Sequence, residues 1–124
     1  MTAVKKILIF DDEEAIRMLY ELELSEEGYQ VICSGEVSGC LELIREHRPN
    51  VVVMDKKMGK HDGLEVLRKI RGRFPALPLI LCTAYSSHES EKQEKVADFR
   101  AAKSSDLEDL KMKIKAAASL GRAT

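Results

Sequence analysis

The stretch Ile7–Asp12 has the sequence Ile-Leu-Ile-Phe-Asp-Asp, in which four apolar residues are followed at once by two acids. A short apolar run without alternation is typical of a strand covered on both faces, as the strands of a parallel sheet are. From Glu13 onward, apolar residues recur at steps of three and four until Gly28, a common residue at helix C-termini. This part of the chain therefore predicts a buried strand, an acidic turn and a helix.

Four more segments along the chain have the length of strands, and these are Tyr29–Cys33, Val51–Met54, Leu79–Cys82 and Val96–Ala102. The last of them is small and mixed in composition, so it predicts only a weak fifth strand. Helical patterns lie between and after these segments, and strands that alternate with helices are joined by right-handed crossovers. The order of elements predicts an α/β fold with a five-stranded parallel sheet and helices on both faces.

The remaining helical patterns differ in strength. Val37–Ile44 predicts a helix that contains Gly39, a residue that costs about 1 kcal/mol relative to alanine inside a helix. Asp62–Ile70 predicts a helix that begins at the Asp-Gly pair, and Ser105–Ala117 predicts one with the spacing of a capping box. Ser86–Lys95 has no large apolar residue, so we expect a short, exposed or frayed helix there.

Size and composition describe one ordinary globular domain, which we expect to span residues 1–124. Lys and Arg number 20 and Asp and Glu number 21, so the formal charge of −1 gives no basic surface for nucleic acid. No apolar run approaches the roughly 20 residues that a membrane span needs. The odd number of cysteines, 3, and the absence of a signal-peptide pattern favour a reduced, cytoplasmic protein.

Polar side chains follow the predicted strands at the points where these end. Asp11 and Asp12 follow the first strand, Asp55 the third, Thr83 the fourth and Lys103 the fifth. In open sheets of this class, ligands bind beyond the carboxyl ends of the strands, so these side chains are expected to converge. Carboxylate oxygens suit Mg²⁺, and a carboxylate can act as a nucleophile. The set has the components of a site that handles phosphoryl groups.

The same residues form motifs that resemble those of a known family. In chain order the motifs are Ile7–Asp12, Asp55-x-x-Met58, Asp62-Gly63, Thr83-Ala84 and Lys103. Over essentially its whole length the sequence resembles the receiver domain of two-component response regulators, and it is most similar to the small stand-alone receivers of chemotaxis and of the sporulation phosphorelay. The resemblance implies a flavodoxin-like, doubly wound fold.

The resemblance also implies a role for each acid of the set. Asp55 is expected to accept a phosphoryl group from a sensor histidine kinase or a histidine phosphotransfer protein. Asp11, Asp12 and Asp55 are expected to hold Mg²⁺, aided by the backbone carbonyl of Lys57. The chain would then be a phosphoacceptor signalling domain that assists only its own phosphorylation and dephosphorylation, and not an enzyme.

The resemblance implies that two further residues contact the phosphoryl group once it is bound. Thr83 would turn its hydroxyl onto one phosphoryl oxygen, and Lys103 would pair with another. The acyl phosphate adds about two negative charges, and the movement of these two side chains would shift a two-state equilibrium of the surrounding loops. The output is then the binding of a downstream protein, whose identity the sequence does not give.

The sequence departs from the family pattern at several positions. Gly59 stands where the family often has proline, which we expect to loosen the loop over the site. Ser104 follows Lys103 where the family usually has a cis proline, so we predict a trans bond there, because a cis bond before a non-proline residue costs about 3–4 kcal/mol. Arg100 stands where the family usually has an aromatic switch residue. Together with the polar segment Ser86–Lys95, this predicts an altered and mobile output face.

Other interpretations of these residues compete with this one. Alone, Asp11 and Asp12 could be helix N-caps and Lys103 a solvated surface lysine, but their joint placement disfavours that explanation. A phosphorylation-independent pseudo-receiver that serves as an interaction module is the alternative, favoured by Arg100 and Ser104. A flavin carrier of the same fold is disfavoured, because the acidic turn after the first strand would repel a phosphate. Binding of Mg²⁺ distinguishes the phosphoacceptor receiver from the pseudo-receiver.

Overall fold

The structure is a computed structural model that describes residues 4–84, 96–103 and 106–120. Its main sheet consists of β1 (Lys6–Phe10), β2 (Gln30–Ser34), β3 (Val51–Asp55), β6 (Leu79–Thr83) and β7 (Phe99–Ala102). A separate antiparallel hairpin consists of β4 (Lys57–Met58) and β5 (His61–Asp62). The helices of the described residues are α1 (Glu14–Glu26), α2 (Cys40–His47), α3 (Gly63–Arg73) and α4 (Glu108–Ala118).

The main sheet is parallel throughout, with the strand order β2-β1-β3-β6-β7. The predicted α/β fold is therefore confirmed, with strand bounds that differ from the predicted ones by up to three residues. The direction of winding reverses between β1 and β3, where Ile7 pairs with Val51. This reversal opens a crevice at the carboxyl ends of the two strands, where sheets of this class bind their ligands.

Alternate residues of the strands pack into two separate cores. Ile7 and Ile9 of β1 face one cluster, which also contains side chains of α1 and α4. Leu8 and Phe10 face the other cluster, which contains side chains of α2 and α3. All four of these strand residues are 0% exposed, which explains why β1 is continuously apolar in sequence.

Helix α2 starts later than predicted, and Gly39 is the reason. Gly39 lies at the N-cap with a φ of 75°, a left-handed conformation that ends the preceding turn. The prediction that placed Gly39 inside the helix is therefore wrong. The other end of α2 is also left-handed, because Arg48 at the C-cap has a φ of 49°. Gly28, by contrast, follows α1 with a φ of 98°, as its position in the sequence predicts.

The left-handed backbone at Arg48 leads to a first prediction. Arg48→Gly is expected to raise the free energy of unfolding by about 0.5 kcal/mol, because the relief of a conformation that costs a side chain about 1–2 kcal/mol exceeds the added entropy of glycine. Urea denaturation measures this change. The matched control is Arg45→Gly inside α2, which should lower the free energy of unfolding by up to about 1 kcal/mol. Equal losses in both variants would contradict the prediction.

Some predictions fall on residues that the structure does not describe. The expected helix over Ser86–Lys95, the bond between Lys103 and Ser104, and the capping residue Ser105 all lie outside the described residues. Helix α4 begins at Glu108, whose backbone N–H donates to Asp106 Oδ1 at 3.0 Å. Within residues 4–84, 96–103 and 106–120, no helix is long and apolar enough to cross a bilayer.

Candidate functional site

The strand ends of the main sheet open onto one cavity of about 750 Å³. Asp12, Asp55, Thr83 and Lys103 line this cavity, as does Lys57 of the hairpin. Asp11 lies beneath them and is only 1% exposed. The structure thus brings together every residue that the sequence predicted for the site.

The three acids form a compact cluster. Asp11, Asp12 and Asp55 each offer a carboxylate oxygen, and these oxygens all lie within 4.8 Å of one another. Asp11 Oδ2 is buried, and its partner among the described residues is the Lys103 ammonium, 3.2 Å away in an ion pair that lacks the geometry of a hydrogen bond. An oxygen-only donor set with a buried carboxylate oxygen that accepts no well-aligned hydrogen bond fits a hard divalent cation such as Mg²⁺.

Lys103 places a positive charge in direct contact with the acidic cluster. Its Nζ lies 2.8 Å from Asp55 Oδ2, 3.2 Å from Asp11 Oδ2 and 3.4 Å from Glu13 Oε1. Partial burial alone would lower the pKa of Lys103, but the hydrogen bond to Asp55 and the close negative charges of Asp55 and Asp11 outweigh burial and raise that pKa. Lys103 therefore remains protonated and acts as an internal counterion.

The carboxyl of Asp55 has a higher pKa than that of an ordinary aspartate. Burial raises the pKa of its carboxyl above the usual 3.8, and the charge of Asp11 adds to this, while Lys103 and the backbone N–H of Lys57 act in the opposite direction. That N–H donates to Asp55 Oδ1 at 3.4 Å. The net effect is a carboxylate whose negative charge is incompletely compensated.

The raised pKa of Asp55 makes the stability of the metal-free protein depend on pH. Because the pKa is higher in the folded than in the unfolded state, the contribution of this carboxyl to folding is most favourable below pH 3.8 and is lost as the pH rises through the folded pKa. At neutral pH, Asp55→Asn is therefore expected to raise the free energy of unfolding. The gain should vanish in urea titrations as the pH falls through the folded pKa.

Asp109→Asn is the control of opposite sign. The backbone N–H of Ala102 and the Lys113 ammonium hold the pKa of Asp109 below its usual 3.8, so its contribution is present above pH 3.8 and is lost as the pH falls through the folded pKa. This variant should be less stable than the wild type at neutral pH. A loss of stability in Asp55→Asn under the same conditions would contradict the prediction for Asp55.

The β4–β5 hairpin covers one side of the cluster. Gly59 and Lys60 form its two-residue turn, and Gly59 has a φ of 60°. The backbone N–H of Gly59 donates to Asp12 Oδ2 at 2.9 Å. The expected loosening of this loop by Gly59 thus differs from the structure, which shows a paired hairpin joined to an acid of the site. Glycine at the first position of a two-residue turn is the sequence signal that we missed.

Helix α3 begins at Gly63, which lies against the backbone carbonyl of Asp55. The helix begins at the Asp-Gly pair as predicted, and Asp62 caps it by accepting a hydrogen bond from the Leu64 backbone N–H at 2.9 Å. A Cβ at Gly63 would overlap the carbonyl oxygen of Asp55 and lie 2.9 Å from its carbonyl carbon. The absence of a side chain at Gly63 therefore lets the helix start against the backbone of Asp55.

Two residues of the site were not predicted from the sequence. Glu13 contributes a carboxylate beside Lys103, and Arg17 Nη1 donates to the backbone carbonyl of Asp11 at 2.8 Å. The N-cap of α1 is Glu13, which disfavours the interpretation of Asp11 and Asp12 as caps. Asp11 Oδ1 instead accepts a hydrogen bond from the Glu13 backbone N–H at 3.0 Å within the turn.

Comparison with known proteins agrees with this geometry. The family model of the response regulator receiver domain matches residues 7–115. The chain belongs to this family. Regulatory protein AtoC of Escherichia coli (strain K12) is 34% identical to this receiver over 90 residues, which are 73% of this chain and 20% of AtoC. The chain thus spans about a fifth of the length of that curated relative.

Solved structures include a receiver that is similar over most of this chain. The response regulator TrrA of Thermotoga maritima, solved in complex with Mg²⁺ and BeF, has 35% identity and a TM-score of 0.84, and the match covers 92% of this chain and 99% of TrrA. TrrA in complex with the histidine kinase ThkA gives a TM-score of 0.83, with coverage of 92% and 98%. This receiver is accordingly a signalling domain of a two-component system.

Proposed function

We propose that this receiver accepts a phosphoryl group on Asp55 in an Mg²⁺-dependent reaction and signals through conformational change and partner binding. The observation that carries the proposal is the convergence of three carboxylates within 4.8 Å of one another, with the Lys103 ammonium 2.8 Å from Asp55. The donor is a phosphohistidine of a sensor histidine kinase or a histidine phosphotransfer protein. The complex of the similar TrrA with a histidine kinase supports this class of donor.

The transfer is a displacement at phosphorus. A carboxylate oxygen of Asp55 attacks the phosphorus atom, an O–P bond forms, and the P–N bond to the imidazole breaks. The imidazole nitrogen leaves with the electron pair of that bond and takes up a proton from solvent. The product is an aspartyl phosphate, and the incompletely compensated charge of Asp55 keeps an electron-rich oxygen available for the attack.

The metal site that this proposal assigns consists of the carboxylates of Asp11, Asp12 and Asp55 and the backbone carbonyl of Lys57. Bound Mg²⁺ supplies positive charge that offsets the charge of the transferred phosphoryl group. The residues of the site fit this cation, because three carboxylates converge there and buried Asp11 Oδ2 has only the ion pair with Lys103, without a well-aligned hydrogen bond, among the described residues. The carboxylates would otherwise repel both one another and the incoming phosphoryl group.

Lys103 and Thr83 are assigned the recognition of the product. The Lys103 ammonium contacts Asp55 and is placed to pair with a phosphoryl oxygen, and Thr83 ends the neighbouring strand in the same cavity. The phosphoryl group adds about two negative charges, which attract the ammonium and the hydroxyl. The shift of these groups is the local event that we assign to the switch.

The exposed face of α1 is where we place the donor. The sequence places this face between Ala15 and Leu19, and in the structure it continues one turn further to Leu22; Met18 and Leu22 are 64% and 59% exposed. Their α-helix begins directly beyond the acidic turn, so a helical donor on this face can present a phosphohistidine to the cavity. We further propose a cytoplasmic receiver that spans residues 1–124 and that, rather than being an enzyme, assists only its own phosphorylation and dephosphorylation.

Incubation with a small phosphodonor tests the function. Acetyl phosphate and Mg²⁺ are expected to add the mass of one phosphoryl group to the wild type in intact-mass spectrometry, and to add nothing to Asp55→Asn or to the wild type in EDTA. Unmodified wild type in the presence of Mg²⁺ would contradict the proposal. If Mg²⁺ also fails to bind, the alternative of a phosphorylation-independent interaction module, favoured by Arg100 in place of the family's aromatic residue, replaces it.

A further inference from the structure

The three acids of the cluster are not held equally. Asp11 and Asp55 are buried, at 1% and 5% exposure, and are fixed by the turn after β1 and by the end of β3. Asp12 is exposed, so packing does not hold its carboxylate as it holds the other two. Among the described residues, the donor to its carboxylate is the backbone N–H of Gly59, at 2.9 Å from Oδ2.

This hydrogen bond joins two parts of the chain that are 47 positions apart. A carboxylate has two oxygens, so one can accept the amide hydrogen of Gly59 while the other faces the cation. Ligating carboxylates held in this way by an outer partner bind metals more tightly, and loss of the partner typically weakens binding about 10- to 100-fold. We therefore expect this hydrogen bond to strengthen metal binding as well as to hold the hairpin in place.

We propose that the backbone amide of Gly59 is a positioning group for the metal site, which holds the exposed Asp12 carboxylate in the orientation that binds Mg²⁺. The inference rests on the proposed function, since it assigns a determinant of the affinity of that site. It also gives a physical reason for glycine at this position: a proline has no N–H to donate, and its fixed φ of about −65° is incompatible with the φ of 60° found here.

The coupling is reciprocal. If the hydrogen bond from Gly59 increases the affinity for Mg²⁺ by some factor, Mg²⁺ must strengthen that hydrogen bond by the same factor. The β4–β5 hairpin is then more firmly closed when the cation is bound. Lys57, Lys60 and His61 of the hairpin line the cavity, so the cation would also fix the rim that a phosphodonor meets.

Substitution of Gly59 tests the proposal through metal affinity. The dissociation constant for Mg²⁺ is measured by NMR titration of ¹⁵N-labelled, metal-free protein, with no phosphodonor present. Gly59→Pro removes the N–H and is expected to weaken binding about 10-fold. Gly59→Ala keeps the N–H, and a Cβ there meets no atom within 4 Å. The φ of 60° costs alanine some stability, but the donor remains, so the affinity should stay within about threefold of the wild type.

Gly28→Pro is the matched control. Gly28 also has a positive φ, of 98°, and its N–H donates to the Ser25 carbonyl at 3.0 Å, so the same substitution removes one amide donor at the end of α1. This variant should lose stability without any change in the affinity for Mg²⁺. A loss of affinity in Gly59→Pro alone would then arise at the β4–β5 hairpin and not from proline at a positive φ in general.

A second measurement needs no variant. Hydrogen exchange of the Gly59 amide in the wild type is expected to slow when Mg²⁺ saturates the site, and the Gly28 amide should not change. Three results would each overturn the inference. They are equal affinities for Mg²⁺ in Gly59→Pro and the wild type, equal losses of affinity in Gly59→Pro and Gly59→Ala, and an exchange rate of the Gly59 amide that does not change with Mg²⁺. Failure of the wild type to bind Mg²⁺ would instead overturn the proposed function.

Discussion

Gly63→Ala is expected to lower the free energy of unfolding by about 3 kcal/mol, near the upper end of what overpacking costs. The added Cβ would overlap the carbonyl oxygen of Asp55 and lie 3.0 Å from Met54 Cγ. The Gly63 backbone cannot retreat freely, because its N–H donates to the Lys56 carbonyl at 2.6 Å. Relief therefore requires a shift of α3 or of the end of β3.

Gly72→Ala is the matched control, since it makes the same substitution in the same helix. A Cβ at Gly72 would meet no atom within 4 Å, so alanine should stabilise the protein by about 0.5 kcal/mol through its higher helix propensity. Urea denaturation of both variants measures the difference. A Gly63→Ala protein that is as stable as Gly72→Ala would show that α3 does not pack against the backbone of Asp55 as described.

Lys103→Met is expected to lower the free energy of unfolding by about 3 kcal/mol at neutral pH in EDTA, because it removes the cation from a largely buried ion pair and leaves the carboxylates uncompensated. The acids affected are Asp11 and Asp55, at 3.2 Å and 2.8 Å from the ammonium. Saturating Mg²⁺ should bring the stability of the variant back close to that of the wild type in EDTA. The reason is that a cation bound to the folded state alone adds about 2.7 kcal/mol at 100 times its dissociation constant.

Lys113→Met is the control for the loss of a lysine charge. Lys113 pairs with Asp109 at 2.9 Å near the surface of α4, where such pairs contribute less than about 1 kcal/mol. Its stability should be close to that of the wild type with or without Mg²⁺. If Lys103→Met proves as stable in EDTA as Lys113→Met, the cluster does not depend on an internal counterion.

The sheet and the convergence of the site residues were predictable because both follow from local patterns. Strands buried on both faces, such as β1 and β3, are continuously apolar, and the acids that end them are adjacent in sequence to those runs. Once the sheet is parallel, its carboxyl ends lie at one edge. Asp11, Asp12, Asp55, Thr83 and Lys103 could therefore be grouped without knowledge of any contact.

The parts that escaped prediction depend on contacts between distant residues or on single backbone angles. The hydrogen bond of Gly59 to Asp12 joins residues from different loops, and no periodic pattern marks it. Arg71 is similar, since it donates to the carbonyl of Val96 and to Asp98 Oδ2 and so connects α3 to the segment before β7. The left-handed angle of Gly39 moved the start of α2, because a glycine in a turn and one in a helix look alike in sequence.

A crystal structure with Mg²⁺ and beryllofluoride, a mimic of the phosphoryl group, tests the central claim most directly. We expect beryllofluoride on a carboxylate oxygen of Asp55 and one Mg²⁺ held among Asp11, Asp12 and Asp55, with the Lys103 ammonium against a fluorine atom. Crystals in which the three acids lie apart, with neither group bound at concentrations that saturate known receivers, would contradict the account.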